Sequence, residues 1–333
     1  MCAVSKATTH SIARKSFIRA LLFTLAILWA GSSFEAYNQG QLAVVLILFI
    51  GVLSVTILTG ISGQLSLGQG ALMAVGGYSA ALLMTNLKLS LWVAIPLSIV
   101  GAAIAGLLLG VAAARLSGPY LAGTTLVVAL AIPTLANRFV TVLRGDEGFP
   151  VDVGYPPNWV SNTFGEPSYE EWQLYVALPF AAIALFFASN ILLSRTGRMW
   201  KSIRDHETAA ALNGVNFSRQ KIYVFVISST FAGLSGALYG LRGLVGPSVY
   251  PVSLSLLLLT AAVLGGIRSI AGAFIGTVIV VFLPDWIHLV IDNFEFSEQV
   301  YNYLPALLSG LLLILTVVIN PAGVAGTKLH KHK

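Results

Sequence analysis

The chain has 333 residues, 56% of them hydrophobic and only 10% charged, with a formal net charge of +6. So little charge excludes a soluble protein of this size, whose surface would need far more, and several apolar runs approach the ~20 residues that cross a bilayer. The single cysteine, Cys2, excludes an internal disulfide and any multi-cysteine metal site.

Residues 1–16 read as a basic cytoplasmic tail carrying Lys6, Arg14 and Lys15, and Arg19 lies just beyond it. Basic residues beside spans set orientation, so the positive charge calls for no nucleic-acid partner. The apolar run Phe17–Phe34 is the first predicted span. Bulky Trp29 beside Ala30, Gly31 and Ser32 makes a poor cleavage site, which favours an uncleaved signal anchor over a signal peptide. Leu42–Thr59 is a second span. Gly60–Leu83 is a third, unlike the others in its Gly, Ser and Gln content. Leu91–Ala114 and Pro119–Asn137 follow. Residues 138–172 are acidic on balance and rich in proline, as suits an external loop with a short surface helix.

Gln173–Leu193 leads into the most basic interruption, Arg195–Lys221, six of whose residues are Lys or Arg. Inside it, Asp205 is expected to cap a short Ala-rich helix, His206–Leu212, and Asn213-Gly214 to stop it in a left-handed turn. The result is a compact knob. Ile222–Leu241 is the next span. Val252–Gly266 and Ile270–Leu283 are short: fifteen helical residues rise about 22 Å against roughly 30 Å of hydrocarbon. They read as full spans or as a re-entrant pair. Asp285, Asp292, Glu295 and Glu298 mark an external loop, Tyr303–Ile319 a last span, and residues 322–333 a lysine-bearing cytoplasmic tail. The pattern is an all-α polytopic membrane bundle over 17–321, of about ten transmembrane segments with both termini cytoplasmic. Trp29, Trp92, Trp172 and Trp286 fall at its outer boundary and Trp200 near the inner one.

Almost no acid or base lies inside a span, which argues against a proton-driven carrier, although sodium held by backbone groups leaves no trace in a sequence. No GxxxxGK[ST], HExxH or GxSxG motif occurs. No catalytic residue, metal site or cofactor is expected. Two features remain. The glycines of Gly60–Tyr78 either let helices pack closely or break a helix that lines a polar path. On the second reading Ser62, Gly63, Gln64, Ser66, Gly68, Gln69 and Gly70 form the translocation path. The knob either only fixes orientation or is a coupling helix. In the latter case Ala209, Ala210 and Ala211 seat it in a partner's cleft, with Arg204, Asp205 and Glu207 at the rim and Gly214 ending it.

Three segments carry a resemblance, in this order: GISGQLSLGQGALMAVGGYSAALL, RDHETAAALNGVNFSRQKIYVFVISSTFAGLSGALYG and VLGGIRSIAGAFIGTVIV. They resemble permease subunits of branched-chain amino acid ABC importers, the M-type more than its H-type paralogue, from about residue 40 to 320. Urea and short-amide permeases share these patterns. The resemblance implies a heteromeric importer of the bacterial inner membrane. Two permeases, this one paired with an H-type chain, work with two ATPase subunits and an external solute-binding protein, and this chain is not itself catalytic. Glu207, Ala210 and Gly214 match the family's EAA-like loop, which contacts the ATPase. Gly63, Gln64, Ser66 and Gly68 match its N-terminal signature. Arg268 departs from the pattern, standing where a small or neutral residue is expected.

Overall fold

The computed structural model describes residues 2–116, 118–158, 160, 166–291 and scattered positions from 304 to 325. The last predicted span lies mostly outside the described residues, and Asp292, Glu295, Glu298 and the lysines of the C-terminal tail lie wholly outside them. The helices are α1 (Cys2–Ser33), α2 (Ala36–Val55), α3 (Gln69–Asn86), α4 (Leu91–Ala113), α5 (Pro119–Arg138), α6 (Val140–Leu143), α7 (Tyr169–Leu193), α8 (Arg195–Asp205), α9 (Glu207–Leu212), α10 (Phe217–Gly240), α11 (Val252–Gly265) and α12 (Ile270–Ile291). Residues 138–172 do hold a short helix, α6. They also hold β1 (Phe149–Asp152), which pairs antiparallel with β2 (Arg242–Val245) from Phe149 opposite Val245 to Asp152 opposite Arg242. Apart from this ribbon the described fold is helical.

α2 is the axis of the bundle. It is apolar on every side, and a helix with no polar face must be surrounded. Every residue from Leu42 to Ser62 is buried. α10 packs along α2, α3 and α4, while α7 covers another side of α2 and is itself lined by α1. The α3–α10 crossing is close enough to bring backbones together. A Cβ on Gly76 would run into the backbone of Gly233, and one on Gly236 into the carbonyl of Met73. Small residues permit this approach where lipid supplies no hydrophobic force between helices.

Among the described residues, seven helices are long and apolar enough to cross a membrane: Ala13–Ser33, Ala36–Ile61, α4, α5, α7, α10 and Ile270–Ile287. α11 is apolar but has only 14 residues. The third predicted span, Gly60–Leu83, begins with a break, as one of its two readings required. α2 runs on as a π-helical turn, Thr56–Ile61, residues 62–68 leave the helix, and α3 begins at Gln69. The cause is local: Gly63 takes a φ of +75°, in the left-handed region that ends helices.

The connections gather at two ends. One holds residues 62–68, α8, α9 and the turn 266–269. The other holds the β1–β2 ribbon and the buried Tyr250, whose hydroxyl donates to Gly236 O at 2.7 Å. Burial pushes the Tyr250 phenol well above its ordinary pKa, so it stays a donor. Trp29, Trp92 and Trp286 are exposed, as a belt of interfacial aromatics requires. Two expected members of the belt are corrected. Trp172 is buried, its indole N–H 3.4 Å from Val153 O, and Trp200 is fully buried. Both are packing residues.

Candidate functional site

The end of α2 has the familiar problem of a helix C-terminus, carbonyls without partners. The chain satisfies most of them itself by folding back. Ser62 N donates to Ile57 O at 3.3 Å, Gln64 N to Leu58 O at 3.1 Å and Gly63 N to Thr59 O at 3.1 Å. Ser62 Oγ also donates to Leu58 O, and Thr59 Oγ1 to Gln64 O. The carbonyl of Gly60 is completed from 144 residues away: Arg204 donates to it from a guanidinium nitrogen at 2.8 Å. A cation at a helix C-terminus also complements the helix dipole. Gly60 is wedged on its other side too, since a Cβ there would strike the carbonyl of Ile267. The three segments that carried the family resemblance therefore meet at one point.

The knob is two helices. α8 is amphipathic and buries Gly197, Trp200 and Ile203. Trp200 donates its indole N–H to Gln220 Oε1 at 3.0 Å, tying α8 to the first turn of α10. The cap assignment is corrected: His206, not Asp205, is the N-cap of α9, and no side chain bonds there. Asp205 ends α8, and its carboxylate is held by Arg204 at 2.8 Å in the one ion pair among the described residues. An aspartate already engaged by a guanidinium is not free to turn toward the α9 amides. The stop matches expectation. Gly214 has a φ of +81°, Val215 N reaches back to Ala210 O at 3.2 Å, and Gly214 N reaches Ala211 O at 3.0 Å. These are the two bonds of a Schellman closure.

The predicted knob residues divide by direction. Asp205, Glu207, Ala211 and Gly214 are exposed. Ala210 is buried, and Arg204 is turned inward with its side chain only 16% exposed. Leu212, 91% exposed, was not anticipated. Its signal was a lone large apolar residue at the end of a polar loop. Ser62, Gly63, Gln64, Arg204 and Glu207 line one small cavity of about 100 Å³, together with Lys221. The buried Gln64 Oε1 has no protein partner there, and a polar cavity of this size has room for water.

Gln69 sits deeper, at the start of α3, only 1% exposed. Its amide lies against two hydroxyls, 3.1 Å from Ser54 Oγ and 3.4 Å from Ser228 Oγ. Those hydroxyls have nearer acceptors, Gly51 O at 2.6 Å for Ser54 and Ser54 O at 2.9 Å for Ser228. Each hydroxyl has one proton, so the amide is best turned with its NH2 toward both serines. The carbonyl oxygen is then the buried group without a partner. Gly70 N donates to Ser255 Oγ at 2.9 Å, Leu67 N to Thr125 Oγ1 at 3.0 Å and Gly68 N to Ser66 Oγ at 3.3 Å. Ser54, Ser228 and Ser255 were not singled out from the sequence. Their signal was a hydroxyl in the middle of an apolar span.

The family described as branched-chain amino acid transport system, permease component, matches residues 39–317. The chain belongs to this permease family. The permease is 30% identical to the high-affinity branched-chain amino acid transport system permease protein LivM of Salmonella typhimurium, over 94% of its own length and 75% of the relative's. The same figures hold for LivM of Escherichia coli. LivH of Salmonella typhimurium is 24% identical, over 81% of the permease and 88% of the relative. No solved structure matches the permease. With its apolar helices, the match makes this chain a multi-pass permease subunit of an ABC transporter in the inner membrane.

Proposed function

We propose that this permease and a second, H-type permease chain together form the path by which an ATP-driven importer carries branched-chain amino acids. An external solute-binding protein delivers them at the ribbon end, and two ATPase subunits hydrolyse ATP and grip the knob at the other. The knob end faces the cytoplasm, as its basic residues favour. With the short helices α3 and α11 counted as spans and a last one near 303–319, both termini lie on that side. The membrane domain is 17–321, with 195–221 as its coupling loop and cytoplasmic tails at 1–16 and 322–333.

The observation that carries the reading is the bond from Arg204 to Gly60 O. It joins the part of the chain that a soluble engine can reach to the helix on which the bundle is built. Asp205, Glu207, Ala211 and Leu212 offer the outer contact, Ala210 and Gly214 hold the shape of α9, and Arg204 passes displacement to α2. Residues Ser62–Gly70 are where the path would be opened, because they are the only polar break in the axis among the described residues. No fixed charge is needed there, and selection of the solute rests with the external protein. The test is a Leu212→Cys variant in a Cys2→Ser background. A membrane-impermeant maleimide should label it in inside-out vesicles and not in right-side-out ones, and assembly with the ATPase subunits should block the labelling. Labelling from the external side would overturn the orientation. Labelling unaffected by the ATPase would overturn the docking.

A further inference from the structure

The residue that breaks the family pattern, Arg268, opens onto the largest of the cavities described, about 690 Å³. Two other cations share its lining, Arg19 from α1 and Lys201 from α8, which stand far apart in sequence. None of the three pairs with a carboxylate among the described residues, where the sole ion pair is Arg204 with Asp205. Arg19 and Arg268 are exposed and Lys201 half-buried, so the opening carries a positive potential that favours an anionic group. Below them the lining turns apolar. Phe23, Phe49 and Phe274 form a mutually packed aromatic wall, with ring centroids 5.2 to 5.8 Å apart. One polar atom interrupts it, Ser189 Oγ, on a residue 1% exposed and with no hydrogen-bond partner in the protein.

We propose that this cavity is a binding site for an anionic phospholipid. The headgroup phosphate sits among Arg19, Lys201 and Arg268, Ser189 donates to a glycerol-ester oxygen, and an acyl chain lies against the three phenylalanines. Charge at the mouth and an aromatic interior match an amphiphile with an anionic head, and neither a free anion nor a neutral lipid uses both halves. The site touches α1, α8 and the 266–269 turn, so its occupant contacts the knob through Lys201.

The test titrates phosphatidylglycerol and, separately, phosphatidylcholine into the detergent-purified assembled transporter, reading the shift in melting temperature. Inorganic phosphate serves as a competitor. The expected result is preferential stabilisation by phosphatidylglycerol that phosphate does not compete away. Arg268→Gln should weaken that lipid about fivefold and the triple Arg19→Gln, Lys201→Gln, Arg268→Gln variant on the order of 100-fold, following about 1 kcal/mol per basic residue. Arg268 is exposed in a turn, so the single variant remains readable if the triple one does not fold. Equal affinity for the two lipids, competition by free phosphate, or an Arg268→Gln transporter with unchanged preference would overturn the assignment. A preference seen in the isolated chain but lost in the complex would overturn it as well, since a partner subunit would then occupy the cavity.

Discussion

Replacing Arg204 by glutamine tests the coupling route most directly. In the native chain the guanidinium makes three hydrogen bonds, one to Gly60 O at 2.8 Å and two to Asp205 at 2.8 and 2.9 Å. The pair with Asp205 is more than half exposed on the carboxylate side, and such pairs contribute ~0–1 kcal/mol. The bond to Gly60 is different. It ties a charged donor to a carbonyl in a buried turn, and losing it costs about 1.5–3 kcal/mol. If that bond transmits the stroke, the loss appears in coupling more than in stability. Basal ATP hydrolysis by the assembled complex should persist, while hydrolysis stimulated by solute-loaded binding protein falls about 10- to 100-fold, at ~1.4 kcal/mol per factor of ten. The assay is paired uptake and hydrolysis in proteoliposomes. Asp205→Asn is the comparison, measured on complexes that retain the ATPase subunits because Asp205 also lies on the outer contact: it removes the exposed ion pair and keeps the Gly60 bond, and its uptake should stay within about fivefold of the native level. An unchanged ratio of uptake to hydrolysis in Arg204→Gln, with the complex intact, would refute the reasoning. So would an Asp205→Asn defect of equal size.

Other substitutions separate assembly, packing and path. Leu212→Asp should leave the chain's melting temperature nearly unchanged, within about 0.5 kcal/mol for an exposed site, yet abolish co-purification of the ATPase subunit; full recovery of that subunit would count against docking through α9. Gly236→Val places a side chain where Met73 O stands, so overpacking of at least about 1–3 kcal/mol should lower expression and melting temperature together. Gln69→Leu removes an amide whose serine neighbours keep closer acceptors, and stability should move by less than about 1 kcal/mol. Its uptake should fall severalfold if the polar break serves the path, and normal uptake would confine Gln69 to a packing role.

Class and general layout were legible from composition, because few charges and long apolar runs leave a chain little choice but the membrane. The α9 stop was legible too, since Asn213-Gly214 needs only local geometry. What escaped the sequence is contact between distant segments. Asp205 stands in a good capping position before α9, but the neighbouring Arg204, turned inward to Gly60 O 144 residues away, claims its carboxylate. Trp172 and Trp200 occur where interfacial tryptophans are expected, but both are buried and their indoles bond to Val153 and Gln220, 19 and 20 residues away in the chain. The run of small residues after Gly60 was open to two readings, and the structure divides it between them. Gly63 ends a helix through its positive φ, whereas Gly76 lets α3 meet α10.

The knob grips more than one helix, and that decides which part of the bundle can move as a unit. α10 is bonded to α2 at two heights, through Ser228 Oγ to Ser54 O at 2.9 Å and Ser235 Oγ to Ile47 O at 2.7 Å. The donors are seven residues apart and so are the acceptors, in opposite directions. The two bonds therefore stitch one face of each helix to the other over two turns. The knob holds this pair at its end twice over, α2 through Arg204 and α10 through Trp200 on Gln220. Tightly packed helices joined in this way shift together instead of deforming, because close-packed interiors transmit displacement. A push on α9 would accordingly carry α2 and α10 as one body, and the surfaces that slide must lie outside that pair. The α3 crossing, where backbones meet at Gly76 and Gly236, and the bond from Gly70 N to Ser255 are the places where such a shift would be felt first. Both adjoin Gln69, so if residues 62–70 form the path proposed above, the displacement reaches it there.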